Sequence, residues 1–225
     1  MAEDLTTYTE VDPDSKLTVT AAKVAAAGLE RGVSSYVYKD KGAAHFNGDF
    51  EHKCEITCAS VSGLGIMYPW ALANAINDIN SIDVAGGDAL LAWDLYGTNI
   101  RIGEVVAGTR YDDEYTLAGT GTKYYLRIKR DESVGTYGTL YCYIATGNYD
   151  DEGGTLEDTL ALGLHEKEDF RYAYAASSYG AGTGTFTGDA ENLDLQEGAP
   201  PATHNARLLD GLLDGGSLIG GKLVR

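Results

Sequence analysis

The chain is short of cations, cysteine and long apolar runs, and each shortage excludes something. Seventeen Lys and Arg stand against 34 Asp and Glu in 225 residues, a formal net charge of −17. A surface of that sign repels phosphate backbones and anionic bilayers, so neither nucleic acid nor membrane is expected as a partner. No apolar run approaches the length of a membrane span. The opening Met-Ala-Glu-Asp-Leu-Thr-Thr-Tyr has no basic region followed by an apolar stretch and does not read as a secretory signal. Synthesis in a cytoplasm is expected, with any action outside the cell reached by lysis or within a particle. The cysteines are Cys54, Cys58 and Cys142. The first two would lie about 13 Å apart along a strand, too far to bridge, and all three read as small buried hydrophobes. No His or Cys pairs have zinc spacing.

Gly (29) and Tyr (16) are abundant, as turns and strands require. The clearest element is Lys123–Asp131 followed by Gly138–Ala145. Tyr124, Leu126 and Ile128 share one side of the first arm, and Leu140, Cys142 and Ile144 one side of the second. This period of two, with a polar Gly-containing linker, predicts a β-hairpin. Residues 49–60 alternate as cleanly: Phe50, His52, Cys54, Ile56 and Cys58 on one face, Glu51, Lys53, Glu55 and Thr57 on the other. Further strands are expected at 5–11, 16–20, 35–39, 66–75, 89–96, 99–107, 155–164, 170–178 and 184–196. Residues 71–80 have helix-favouring Ala content but read as strand passing into loop. The fold class is all-β: a two-sheet antiparallel β-sandwich of jelly-roll type with a C-terminal extension. The sandwich is expected over 1–197. Residues 198–225 read as a Pro-stiffened linker and a Gly/Leu-rich segment. Its Leu208, Leu209, Leu212, Leu213, Leu218, Ile219, Leu223 and Val224 are expected to pack on the sandwich, on a second copy or in a larger assembly.

The order of three segments resembles the concanavalin A-like lectin/glucanase superfamily, and within it the laminin-G-like jelly rolls: Gly48-Asp-Phe-Glu51, the hairpin from Tyr124 to Tyr141, and Ala190-Glu-Asn-Leu-Asp-Leu195. The Thr-Tyr-Thr-Glu-Val-Asp-Pro opening, the Tyr-Tyr-Leu-Arg-Ile-Lys-Arg-Asp arm and Asp169-Phe-Arg-Tyr-Ala-Tyr-Ala-Ala-Ser177 are similar to sandwich domains of bacteriophage and environmental-virus proteins. That resemblance implies a virion-associated protein, such as a capsid decoration, head fibre or tail component.

The superfamily includes glycoside hydrolases, whose chemistry needs converging carboxyl groups. Glu51 and Glu55 share a face, but Lys53 stands between them where the family pattern has Asp, and a solvated strand face is expected. Glu191, Asp194 and Glu197 are spaced by three, so on a regular strand Asp194 points away from the other two; they converge only with a bulge. The four histidines have no nucleophile motif nearby, and no nucleophile elbow or phosphate loop is present. No catalytic residues are therefore assigned, and no enzyme is expected. Two acidic loops are expected, at Tyr111–Glu114 and Asn148–Gly154; Asp150, Asp151 and Glu152 of the second are candidate calcium ligands, calcium being the one cofactor considered. Trp93, Tyr96, Tyr111, Tyr115 and Tyr179 are candidates for stacking on a glycan. The leading expectation is a non-enzymatic structural protein of a virus particle, meeting other virion proteins or itself through residues 198–225. The alternative is a lectin-like carbohydrate-binding module, with a glycan-degrading enzyme third.

Overall fold

The structure, a computed structural model, describes residues 1–196. Among them are fourteen strands and one α-helix. The strands are β1 (Thr9–Val11), β2 (Leu17–Val19), β3 (Lys23–Glu30), β4 (Tyr36–Asp40), β5 (Phe50–Gly63), β6 (Ile66–Ala73), β7 (Ala89–Leu95), β8 (Asn99–Val106), β9 (Thr109–Thr116), β10 (Lys123–Asp131), β11 (Thr139–Thr146), β12 (Thr155–Gly163), β13 (Tyr172–Ser177) and β14 (Gly184–Asp194), with α1 (Ile79–Val84) between β6 and β7. They form two antiparallel seven-stranded sheets. Sheet I has the order β1-β4-β13-β6-β7-β8-β9 and sheet II the order β12-β11-β10-β5-β14-β3-β2. The sandwich and the hairpin of β10 and β11 are as the alternation predicts; Leu126 lies opposite Ile144 and Ile128 opposite Cys142.

The main core lies between the sheets. Cys54, Ile56 and Cys58 of β5, Leu126 and Ile128 of β10, Cys142 and Ile144 of β11, and Phe186 of β14 meet Met67, Trp70, Leu72, Leu90, Ile100 and Ile102 of sheet I. All three cysteines are free and buried. His52 faces inward with them; it is buried, and the Trp70 Nε1–H donates to its Nδ1 at 3.1 Å. Burial, with Lys41 and His45 adding to it, pushes this imidazole down to about 3, so it is neutral across the ordinary pH range.

The centre of sheet I is buried on both faces, which explains why β6 and β13 carry apolar residues almost throughout. A second cluster covers its outer face: Tyr36, Tyr68, Ala71, Leu91, Trp93, Tyr172 and Tyr174, capped by Ile79 and Ile82 of α1. The expectation for 71–80 is corrected here. The strand ends at Ala73, and after a short loop Asp78 starts a helix by accepting from the Ser81 N–H at 2.9 Å. The segment Tyr111–Glu114 is likewise no loop; it lies within β9, paired to β8 along its length. At the open end of the sandwich, the Ala161 N–H of edge strand β12 donates to Asp113 Oδ2 of edge strand β9 at 3.1 Å. The predicted segment 198–225, including Leu208, Leu209, Leu212, Leu213, Leu218, Ile219, Leu223 and Val224, lies outside the described residues. No helix among the described residues is long and apolar enough to cross a membrane.

The turn between β7 and β8 is held hard. Tyr96 has φ +63°, a conformation that bulky side chains avoid. Its N–H donates to Gly65 O at 3.0 Å, and the Gly97 N–H donates to Asp94 Oδ1 at 2.6 Å. A Cβ at Gly97 would stand 2.9 Å from Thr120 Cγ2 and 3.1 Å from Cys58 Sγ. Asp94 is 2% exposed. Burial raises its carboxyl to about 7, against the pull of the Gly97 hydrogen bond. The folded state thus holds a proton that the unfolded chain releases near pH 3.8. The stability this contributes is present below that pH and lost as pH rises through 7. Asn at this position keeps the acceptor for Gly97 and carries no charge. Asp94→Asn is therefore expected to stabilise the fold by about 1–3 kcal/mol at pH 8, with the gain vanishing near pH 4. Urea unfolding at the two pH values checks this, and equal differences at both would contradict it.

Candidate functional site

The outer face of sheet II is where chemistry-bearing side chains collect. Strand β5 presents Glu51, Lys53 and Glu55 outward. Beside them β10 places Lys129, Arg127 and Tyr125, which lie opposite Glu51, Lys53 and Glu55 respectively. On the other side β14 runs in register with β5 from Gly188 to Glu191, opposite Glu55, and then slips so that Asp194 lies opposite Lys53. The slip is a β-bulge, with Asn192 at φ +51°. This corrects the carboxylate geometry expected from residue spacing. The bulge turns Asp194 to the same face as Glu191, the first beside Lys53 and the second beside Glu55. The face is not simply solvated either, since Lys53 and Glu55 are buried.

Hydrogen bonds and ion pairs fix these groups. Lys123 Nζ bridges Glu55 Oε2 at 2.9 Å and Glu191 Oε2 at 2.5 Å, tying β10, β5 and β14 together. Asn192 Nδ2 donates to the other Glu55 oxygen at 2.8 Å. Arg127 forks onto Asp150 at 2.8 and 2.6 Å, reaches Glu51 at 3.2 Å and stacks 3.8 Å over the Tyr143 ring. Lys53 Nζ donates to Asp151 at 2.8 Å and Glu152 at 2.7 Å. Burial opposes charge on Lys53, but the two carboxylates outweigh it and hold its pKa above the usual value. The hydrogen bond from Arg127 holds Asp150 below the usual carboxylate range. The segment Asn148–Glu152 is thereby fastened over the sheet. It encloses a cleft of about 280 Å³, lined by Lys53, Glu55, Asn148, Tyr149, Glu152, Asn192 and Asp194, with Ala2 and Gln196 at its rim. Gln196 is a second non-glycine residue at positive φ, +52°.

Tyr149 is the unusual member of the lining. Its ring meets Tyr125 edge-on at 5.2 Å and lies 4.9 Å from Lys53 Nζ. Its hydroxyl is buried and has no hydrogen-bond partner among the described residues. Burial raises its pKa, so the hydroxyl stays protonated and can donate. A buried donor without an acceptor costs about 1–3 kcal/mol, which a ligand oxygen would relieve.

The candidates taken from the sequence fall in three places. Asp150, Asp151 and Glu152 belong to the cleft loop, where they pair with Arg127 and Lys53. Among the described residues no group of three His, Cys, Asp or Glu side chains is arranged to hold a metal ion. The five aromatics form no single platform, because successive residues of β7, β8 and β9 face opposite ways. Trp93, Tyr96 and Tyr179 gather on the outer side of sheet I, where Trp93 is 2% exposed and lies against Gly103. Tyr111 and Tyr115 turn toward the inner side of β9; Tyr111 stacks on His165 at 3.5 Å and Tyr115 packs against the core. Tyr149 and Asn192 were missed, since neither a lone Tyr in an acidic turn nor a bulge without glycine has a sequence signature.

No protein-family model matches the chain, and no curated protein matches it in sequence. Solved structures do match. A protein of unknown function, SO2946 from Shewanella oneidensis MR-1, has a TM-score of 0.54 at 10% identity over 83% of this chain and 75% of that one. A legume lectin-like domain from Entamoeba histolytica has 0.49 at 13% identity, over 83% and 88% of the two chains. An endo-β-1,4-glucuronan lyase from the fungus Trichoderma reesei has 0.48 at 8% identity, over 86% and 88%. At such identities the likeness is one of fold. The chain has the two-sheet antiparallel β-sandwich.

The expectation that the protein is not an enzyme is corrected. Polysaccharide lyases, alginate lyases among them, appear among the structures with this sandwich. The carboxylate argument against catalysis also assumed a regular strand at Glu191–Asp194, and the bulge removes it.

The loop fastening is testable. Arg127→Met leaves Asp150 without its partner and is expected to cost roughly 1–3 kcal/mol and to speed hydrogen exchange across 148–154. Because the folded-state pKa of Asp150 is depressed, its contribution is present above the ordinary carboxylate range and lost as pH falls below it. The difference between wild type and variant is expected to shrink on acidification. Unchanged exchange in the variant would contradict the role given to Arg127.

Proposed function

We propose that this chain is a carbohydrate-binding module that takes a saccharide in the cleft on the outer face of sheet II. The observation that carries the reading is the buried, unpartnered hydroxyl of Tyr149 in the cleft wall. Around it stand the amides of Asn148 and Asn192, the carboxylates of Glu55 and Asp194, and the ammonium of Lys53. Sugar hydroxyls both donate and accept, and this wall offers both kinds of partner. The volume sits near the lower end of small-ligand pockets, so one end or one unit of a glycan would be held.

The setting we propose for the module is a virus particle, with residues 198–225 as the attachment or self-association segment. The support is the resemblance of the opening and of the β10 and β13 segments to virion sandwich domains, together with the eight large aliphatic residues after residue 207. Light scattering is expected to show a defined oligomer for the full chain and a monomer for a chain ending at Glu197; equal masses would remove the self-association part.

For the cleft, a glycan array probed with the full chain is expected to retain a restricted set of saccharides. Tyr149→Phe is expected to weaken binding about two- to tenfold, the worth of one hydrogen bond. Assaying the retained glycan for chain cleavage then separates binding alone from turnover. An array without retained glycans, or full affinity in Tyr149→Phe, would overturn the reading.

A further inference from the structure

A second site lies on the opposite side of the molecule, where the loop after β3, the turn between β7 and β8, and the glycine-rich loop before β14 meet. Arg31 is at its centre. Its guanidinium lies 4.9 Å from the Tyr179 ring centroid and 5.9 Å from that of Tyr96. Arg110 continues the tier, 5.4 Å from the same Tyr179 ring and 5.7 Å from Trp93.

The two arginines differ in one respect. Arg110 has acceptors for its terminal nitrogens: it pairs with Asp83 at 3.1 Å and donates to the Tyr68 hydroxyl at 3.2 Å, although its Nε, like that of Arg31, is buried without a partner among the described residues. Among the described residues Arg31 has no carboxylate within ion-pair distance, and none of its side-chain nitrogens donates to an acceptor. Its Nε is buried without a partner. In a chain with twice as many acids as bases, this is conspicuous. Every other described Lys and Arg except Lys16 has a carboxylate at ion-pair distance.

The surroundings hold that guanidinium in place without neutralising it. The Arg31 N–H donates to Gly184 O and its carbonyl accepts from the Gly180 N–H. Gly182, at φ +89°, leaves the guanidinium uncrowded; a Cβ there would sit 3.4–3.6 Å from Nε, Cζ and Cδ. Tyr96 is kept against it by the strained turn that Asp94 and Gly65 fix. The neighbouring Asp78 packs on Gly180 but spends both oxygens on Ser81. A planar fork of donors, pre-positioned by aromatic faces and lacking an acceptor, matches a carboxylate.

We infer that Arg31, held between Tyr96 and Tyr179, is a binding site for the carboxylate of a small acid or sugar acid. The site is separate from the sheet II cleft and does not depend on it.

The test titrates sodium glucuronate, sodium acetate and glucose into the full chain at constant ionic strength and follows the ring resonances of Tyr96 and Tyr179. Glucuronate, acetate or both are expected to shift them saturably, and glucose is not. A shift with glucuronate alone identifies a sugar acid, and one with acetate as well identifies recognition of the carboxylate itself. Arg31→Gln is expected to abolish the shift. Arg31→Lys, which keeps the charge and loses the fork, is expected to weaken it at least tenfold. Matching melting temperatures establish that both variants are folded. No shift with either acid, or a shift undiminished in folded Arg31→Gln, would overturn the inference.

Discussion

The pairing of β5 with its two neighbours sets the rest of the molecule. This 14-residue strand is bonded to β10 on one side and β14 on the other. Its inward residues fill the middle of the core, and its outward residues form the floor of the cleft. A strand buried on one face has its register set by that face, since a slip of one residue would exchange Cys54 and Ile56 for Lys53 and Glu55 in the core. With the register fixed from inside, the only freedom left outside is where a neighbour bulges. Strand β14 bulges between Glu191 and Asp194, beside the outward residues of β5, and there a flat ladder becomes a recess.

The electrostatics follow from the same arrangement. Exposed ion pairs contribute little to stability, yet the pairs on sheet II span different elements and are part-buried. Lys123 joins three strands, while Arg127 and Lys53 fasten a loop that has no strand pairing of its own. In so acidic a chain each such cation has several carboxylates within reach. The selection among them is geometric: Lys53 and Arg127 face one another across the ladder, both positive, and the acids of the 150–152 loop sit over the pair.

What was legible in the sequence was whatever repeats with a fixed period. The inward set of β5 and both arms of the β10–β11 hairpin could be read residue by residue. Strand β3 could not, because Lys-Val-Ala-Ala-Ala-Gly-Leu-Glu has little strand propensity and takes its conformation from β14 and β2. Strand β9 was hidden by its acids, which belong to an exposed edge. Helix α1 is six residues long, too short to show a helical period. The cleft was half legible: Lys53, Glu55 and the 150–152 acids were visible as charges, but the bulge that assembles them is a backbone event at Asn192. The tier of Arg31, Tyr96, Arg110 and Tyr179 draws on residues far apart in the chain, and only the topology brings them together.

The bond between Ala161 and Asp113 has a consequence for how this sandwich behaves when crowded. Strands β9 and β12 are the outermost rungs at one end, and a free rung is a template onto which a second molecule can add a strand. Here a side-chain oxygen of one rung already occupies an amide of the other, and Asp112, Glu114, Glu157 and Asp158 flank the same end. An incoming strand would have to displace that contact and strip water from several carboxylates for each amide it gained. The acidity of the chain therefore acts locally as a stop on sheet growth, leaving many copies free to be packed side by side without fusing into a fibre.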